Sequence, residues 1–283
     1  MTRLISIHPL TWFVFAVAVV TGYFRELILF FSLIFIHEMG HYVMARFFHW
    51  RIRRIIILPF GGMLDVDEHG NTPFLEDVLV TIAGPLQHVW LIGFGFLLES
   101  LGLWSTGFFE SFIAFNLMIL GFNLLPIWPL DGGKLLFLLF AYLHPFKRAH
   151  LFLLVASSSI LFLFIALSLT ISTFHLNLIV ILCFLAVAVY KEWRHHPYVF
   201  MRFLLERYET EKGTRKRRKI LYVRPDHVID QILKRFYKGV HHDIIVSERD
   251  SRQLATTDER TLLEAFFAKK RIKAPVSELI RLK

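Results

Sequence analysis

The octapeptide Phe35-Ile36-His37-Glu38-Met39-Gly40-His41-Tyr42 contains the pattern H-E-x-x-H. Four residues advance an α-helix by about 400°, so His37 and His41 project from nearly the same face and can share one metal ion. Glu38 lies beside them, placed to take a proton from water at that metal. The pattern falls inside an apolar run, where ionisable groups are costly to insert into a bilayer. A pair of core histidines bonded to neighbours, with a neutral Glu38, is the weaker explanation for three such groups in five residues.

A catalytic zinc takes three protein ligands and keeps a fourth position open, so one more ligand must come from another helix. The candidate is Asp131, in Asn123-Leu124-Leu125-Pro126-Ile127-Trp128-Pro129-Leu130-Asp131-Gly132-Gly133. Two prolines break a helix there and two glycines permit close backbone approach, which frees a carboxylate to turn inward. The competing reading is an ordinary interhelical turn with Asp131 capping the next segment. The intramembrane H-E-x-x-H outweighs it.

Arg51 to Leu58 reads as a strand, Pro59-Phe60-Gly61-Gly62 as a turn and Met63 to Asp67 as a return strand. This hairpin is too polar to span. It is expected to dip into the cytoplasmic leaflet and, around Gly61 and Gly62, to offer a strand edge to an extended peptide. The competing reading is a cytoplasmic hairpin with no contact to the site. His88, in Gly84-Pro85-Leu86-Gln87-His88, reads as a structural residue beside a proline kink. His69, His195-His196 and His241-His242 read as ordinary surface residues.

Membrane helices must position these groups. The 283 residues are 55% hydrophobic and 19% charged, with 30 Phe and a mean hydropathy of +0.53. Globular domains carry about 25% charged residues. Disorder and collagen-like repeats are excluded, and the single Cys183 excludes an internal disulfide scaffold. A bilayer core needs about 20 apolar residues per helix. Candidate spans lie near 8–24, 27–48, 77–99, 109–126, 150–172 and 174–190. The first lacks a basic leader and a cleavage site, so it reads as a retained helix. Six spans put both termini on one side. Loops on that side hold Arg3, Arg46, Arg51, Arg53, Arg54, Lys134, Lys147 and Arg148, against Arg25 alone opposite, which makes the crowded side cytoplasmic.

Charge divides the chain. Residues 1–190 carry 9 Lys+Arg and 10 Asp+Glu, whereas residues 191–283 carry 23 and 13. The expected fold is an all-α polytopic membrane domain over 1–192 with six transmembrane helices and a re-entrant hairpin. An amphipathic helix and basic linker follow over 193–219, and a small α/β cytoplasmic domain over 220–283. In that domain Ile220–Val223 and His242–Ser247 read as strands, and Asp226–Tyr237 and Asp258–Lys270 as helices. The run Arg215 to Lys219 reads as a linker lying against anionic lipid headgroups. Nothing aromatic interleaves its cations, so no nucleic-acid partner is expected.

An H-E-x-x-H on one span with Asn-x-x-Pro-x-x-Pro-Leu-Asp-Gly on a later one resembles the site-2 proteases, zinc metalloproteases embedded in membranes. His8-Pro9, Leu58 to Gly62, Ala83 to His88 and Asn123 to Phe140 resemble the sporulation members of that family, over the whole chain. Val223 to Asp230, followed by Asp243-Ile244-Ile245-Val246, resembles one cystathionine-β-synthase (CBS) motif. The resemblance implies zinc on His37, His41 and Asp131, Glu38 as the base, and substrate positioned by Asn123 with Pro126 and Pro129. It implies processing of pro-sigma-K, the precursor of a late mother-cell sigma factor, in the forespore outer membrane (the mother-cell membrane), restrained by two inhibitory membrane partner proteins. CBS motifs work in pairs and often bind adenine nucleotides, so the lone copy implies a homo-oligomer and ATP as a second ligand.

From the residues alone, two other readings stay open. One is a metal-handling transporter that uses the same three side chains as a transit site. The other is a catalytically idle membrane regulator acting through its tail. Neither explains a glutamate set between paired histidines.

Overall fold

Glu26 in the first turn and Arg46 in the last give the helix carrying H-E-x-x-H the charge order that its dipole favours. This helix, α1, runs Phe24–Phe47. It stops in a Schellman arrangement: the His49 amide donates to the Arg46 carbonyl, the Trp50 amide to the Ala45 carbonyl, and His49 takes φ +61°. The turn sends the chain back as β2 (Ile52–Leu58), which pairs antiparallel with β3 (Gly61–Val66). A third strand, β1 (Ile5–Ile7), lies parallel to β2, giving the order β1-β2-β3. The sequence reading includes the hairpin but not β1, whose three residues are too few to show alternation.

The computed structural model describes residues 5–7, 11–12, 16, 20–58, 61–66, 72–170, 176–209, 217–247 and 253–280. The expected first span, near 8–24, falls mostly outside them. The remaining helices are α2 (Phe74–Ser100), α3 (Thr106–Asn123), α4 (Asp131–Leu143), α5 (Phe146–Thr170) and α6 (Leu176–Glu209). Among the described residues, α1, α2 and α5 are long and apolar enough to cross a membrane. Phe162, Leu163 and Leu169 on α5 are exposed. Such an outward apolar surface suits lipid and not water. Helix α4, with 13 residues, is too short to span.

The chain divides into two compact units, one comprising Met1–Glu68, Leu75–Leu136 and Ala156–Val189, the other His69–Phe74, Phe137–Val155 and Tyr190–Lys283. In the first, Phe31, Leu33 and Ile34 of α1 pack with Leu91 of α2 and with Phe112 and Ile119 of α3. A second core joins Ile127 and Leu130 to Leu161 of α5 and to Leu182, Leu185 and Val189 of α6. The Ser157 hydroxyl accepts the Trp128 amide at 3.1 Å, which ties the loop before Asp131 to α5.

In the second unit, β4 (Arg217–Val223) runs parallel to β5 (Val240–Ser247), and β6 (Gln253–Asp258) pairs antiparallel with β5. Three short helices accompany this sheet: α7 (Ile229–Leu233), α8 (Glu259–Phe267) and α9 (Val276–Ile280). The expected helix over Asp226–Tyr237 shrinks to α7. The Ile229 and Asp230 amides donate to the Ala274 and Ile272 carbonyls instead, so the helix starts late. His242 corrects the surface reading. It is fully buried, stacked on Phe236 and bonded to Glu259.

Candidate metal centre

The i, i+4 spacing on α1 does what the sequence reading expects. His37 and His41 project together, with their Nε2 atoms 3.1 Å apart. Asp131, the first residue of α4, brings Oδ2 to 3.0 Å from His37 Nε2 and 3.1 Å from His41 Nε2. All three side chains are buried, at 2%, 4% and 3% exposure. Donors about 2.0–2.1 Å from one tetrahedral zinc lie about 3.4 Å apart, so this triangle closes on an ion after opening by a few tenths of an ångström. Two imidazoles and one carboxylate are also the donor set that catalytic zinc uses.

Close helix packing makes the triangle. At Gly84 of α2, an added Cβ would sit 2.2 Å from His41 Nε2 and 2.8 Å from His37 Nε2. Any side chain there would fill the place where the donors meet. His41 Nδ1 donates to the Val80 carbonyl at 2.7 Å. Since a carbonyl only accepts, the neutral ring keeps its lone pair on Nε2. Lys134, one turn along α4, donates to the outer Asp131 oxygen, Oδ1, at 2.9 Å. In the sequence that lysine counts only as one of the loop charges of the cytoplasmic side.

Glu38 is 4% exposed and lies against β3. An added Cβ at Gly62 would come 2.3 Å from Glu38 Cγ, and the Gly62 amide donates to the carboxylate. Glycine is what lets the hairpin reach this residue. Among the described residues β3 pairs only with β2, and its other edge has no strand partner among them. A cavity of about 90 Å³ adjoins Glu38 and His37, with Phe30, Ile34, Met118 and Phe122 among its walls. Asn123 and Gly62 also line it, whereas Pro126 and Pro129 do not. Gly61 pairs with Leu58 inside the hairpin, and the prolines shape the turn between α3 and α4, where Trp128-Pro129 is cis. The Asn123 amide donates to the Ile119 carbonyl at 3.0 Å.

Sequence reasoning missed one connection. His88 of α2 is fully buried, and its Nε2 lies 3.2 Å from His37 Nδ1. Its Nδ1 lies 2.9 Å from Asn116 Oδ1 of α3, and the Asn116 amide donates to the Phe112 carbonyl at 2.8 Å. A buried histidine in an apolar helix was the available signal.

Comparison with known proteins fits this geometry. The family model of peptidase family M50 matches residues 25–114. The chain is 40% identical over 276 residues to stage IV sporulation protein FB of Bacillus subtilis, covering 98% of this chain and 96% of that protein. It is 34% identical over 113 residues to a zinc metalloprotease of Methanocaldococcus jannaschii, covering 38% of this chain and 32% of that one. Among solved structures, the site-2 protease of Methanocaldococcus jannaschii superposes with a TM-score of 0.54 at 22% identity, over 68% of this chain and 92% of that one. At that identity the likeness concerns the fold.

Proposed function

The chain belongs to peptidase family M50, the site-2 proteases, and from that premise we propose that this intramembrane zinc metalloprotease processes pro-sigma-K during sporulation. The observation that carries the reading is the buried triangle of His37, His41 and Asp131 with Glu38 beside it. In this reading the three side chains are the metal ligands and Glu38 is the base.

Zinc held there supplies Lewis acidity toward the peptide carbonyl and toward water. Glu38 takes the proton of the attacking water on a carboxylate oxygen and passes it to the amine nitrogen as the C–N bond breaks. The Gly62 amide holds the carboxylate in place for both transfers. A helical peptide bond is shielded by its own hydrogen bonds, so the substrate must unwind locally. The edge of β3 away from β2 would offer the extended segment a backbone partner. The cavity lined by Met118 and Phe122 takes an apolar side chain next to the cleaved bond, while Asn123 borders it. Gly61, Pro126 and Pro129 serve through the backbone paths on which they lie.

The near full-length match to a sporulation protein supports the substrate and a place in the forespore outer membrane, with restraint by inhibitory membrane partner proteins. The remaining architecture in this proposal comprises six transmembrane helices, cytoplasmic termini, a membrane domain over 1–192, a linker over 193–219 and a CBS-like domain over 220–283. Pairing of that domain gives a homo-oligomer. ATP there rests on the CBS resemblance alone.

The test is co-expression with pro-sigma-K, comparing the wild type with Glu38→Gln at matched membrane levels. The variant is expected to lose about 10²- to 10⁴-fold in processing rate while retaining zinc. Equal processing by both proteins overturns the assignment of Glu38.

A further inference from the structure

We propose that His88 and Asn116 are positioning residues for the metal centre. They form a buried relay, anchored on the backbone of α3, that fixes the tautomer and ring plane of His37 so that its Nε2 lone pair faces Asp131 and His41. The proposal rests on the zinc-site reading of His37, His41 and Asp131.

The hydrogen-bond directions follow from the far end. Asn116 Nδ2 donates to the Phe112 carbonyl at 2.8 Å, which leaves Oδ1 as the atom facing His88 Nδ1 at 2.9 Å. An amide oxygen only accepts, so with each ring in its neutral form His88 carries its proton on Nδ1 and its Nε2 is a lone pair. That lone pair stands 3.2 Å from His37 Nδ1, which must therefore be the protonated nitrogen of His37. His37 Nε2 is then bare, 3.0 Å from Asp131 Oδ2 and 3.1 Å from His41 Nε2. The orientation of one asparagine thus sets the form of a ligand two residues away in the chain of bonds. Both relay residues are 0% exposed, so bulk water offers neither of them another partner.

The two ligating histidines are held by different devices that reach the same end. His41 gives its Nδ1 proton to the Val80 carbonyl, a fixed backbone acceptor. His37 gives its own to a side chain that could accept or donate, and only Asn116 removes that ambiguity. Partners of this kind are worth about 10- to 100-fold in metal affinity when removed.

The test uses the full chain purified in detergent and compares zinc affinity, by competition with a chelating indicator, and the visible d–d spectrum after cobalt substitution. His88→Phe keeps an aromatic ring and removes the acceptor, and its zinc affinity is expected to fall about 10- to 100-fold with an altered cobalt spectrum. His88→Gln can present Oε1 near the place of Nε2, and it is expected to restore affinity to within about threefold of the wild type. Asn116→Leu frees the His88 tautomer and is expected to fall between them. His37→Ala is the control for the site itself. Zinc retained by His37→Ala overturns the zinc-site reading. Zinc lost by His37→Ala but held normally by His88→Phe overturns the relay alone. Equal losses in His88→Phe and His88→Gln also overturn it, since a residue that merely fills space is not rescued by an acceptor.

Discussion

Each unit of the molecule buries histidine against carboxylate, yet the two clusters differ in what remains for a ligand. In the second unit, His242 gives its Nδ1 proton to Glu259, while its Nε2 accepts the Tyr237 amide at 3.1 Å. Arg207 supplies the countercharge, 3.3 Å from Glu259 and over the rings of Phe203 and Phe236. Both ring nitrogens of His242 are committed. In the first unit, the Nδ1 protons of His37 and His41 are spoken for by His88 and Val80. Their Nε2 lone pairs instead meet each other and a carboxylate oxygen. Electron-rich atoms that converge without a donor between them mark a place for a cation. Residue type does not separate a structural histidine from a ligating one; the destination of the second nitrogen does.

The comparison breaks most readily at Glu259. Glu259→Gln removes the buried carboxylate charge facing Arg207 and is expected to cost the second unit about 3–5 kcal/mol. Urea unfolding should register this loss while zinc content stays at the wild-type level. Chelation should do the reverse, removing proteolysis without shifting that transition.

Acid gives the next largest effect. Burial pushes the His242 pKa from 6.5 down to about 4, against the upward pull of Glu259. The unfolded chain therefore binds the proton more readily, and the contribution is complete above about pH 6.5, shrinks between 6.5 and 4, and is gone below. The change amounts to about 3 kcal/mol over that window. Urea midpoints at pH 7 and 4.5 should differ accordingly, and His242→Phe should flatten the difference. The smallest expected effect comes from Gly62→Ala. Its methyl group meets Glu38 and displaces the hairpin, and processing should fall about tenfold to a hundredfold with zinc unchanged. An unaltered rate would show that β3 does not need its approach to Glu38.

What the sequence disclosed depends on range. The pairing of His37 with His41 is set by helix period, and the hairpin by the run Ile55-Ile56-Ile57 before a proline and glycines, so both were legible from neighbours alone. Asp131 stands out because the H-E-x-x-H lacks a third ligand and the prolines and glycines around it free a carboxylate; alone, the same stretch reads equally well as a capped turn. The link from His37 to His88 and Asn116 crosses three helices, with separations of 51 and 28 residues, and no local pattern encodes it. His241-His242 reads as surface because a polar doublet looks solvent-facing until its strand pairs on both sides. Strand β6, Gln-Leu-Ala-Thr-Thr-Asp, has little apolar alternation and owes its form to β5.

The abrupt end of α1 at His49 has a consequence for chain length. The helix stop fixes where β2 begins, and a strand shifted by one residue turns every side chain to the opposite face. The stretch from Glu38 to Gly62 therefore works as a ruler. The register shift between Ile52 and Arg54 already absorbs an irregularity along it. Insertions and deletions in this stretch should be far less tolerated than substitutions at its exposed positions, such as Arg51 and Arg53.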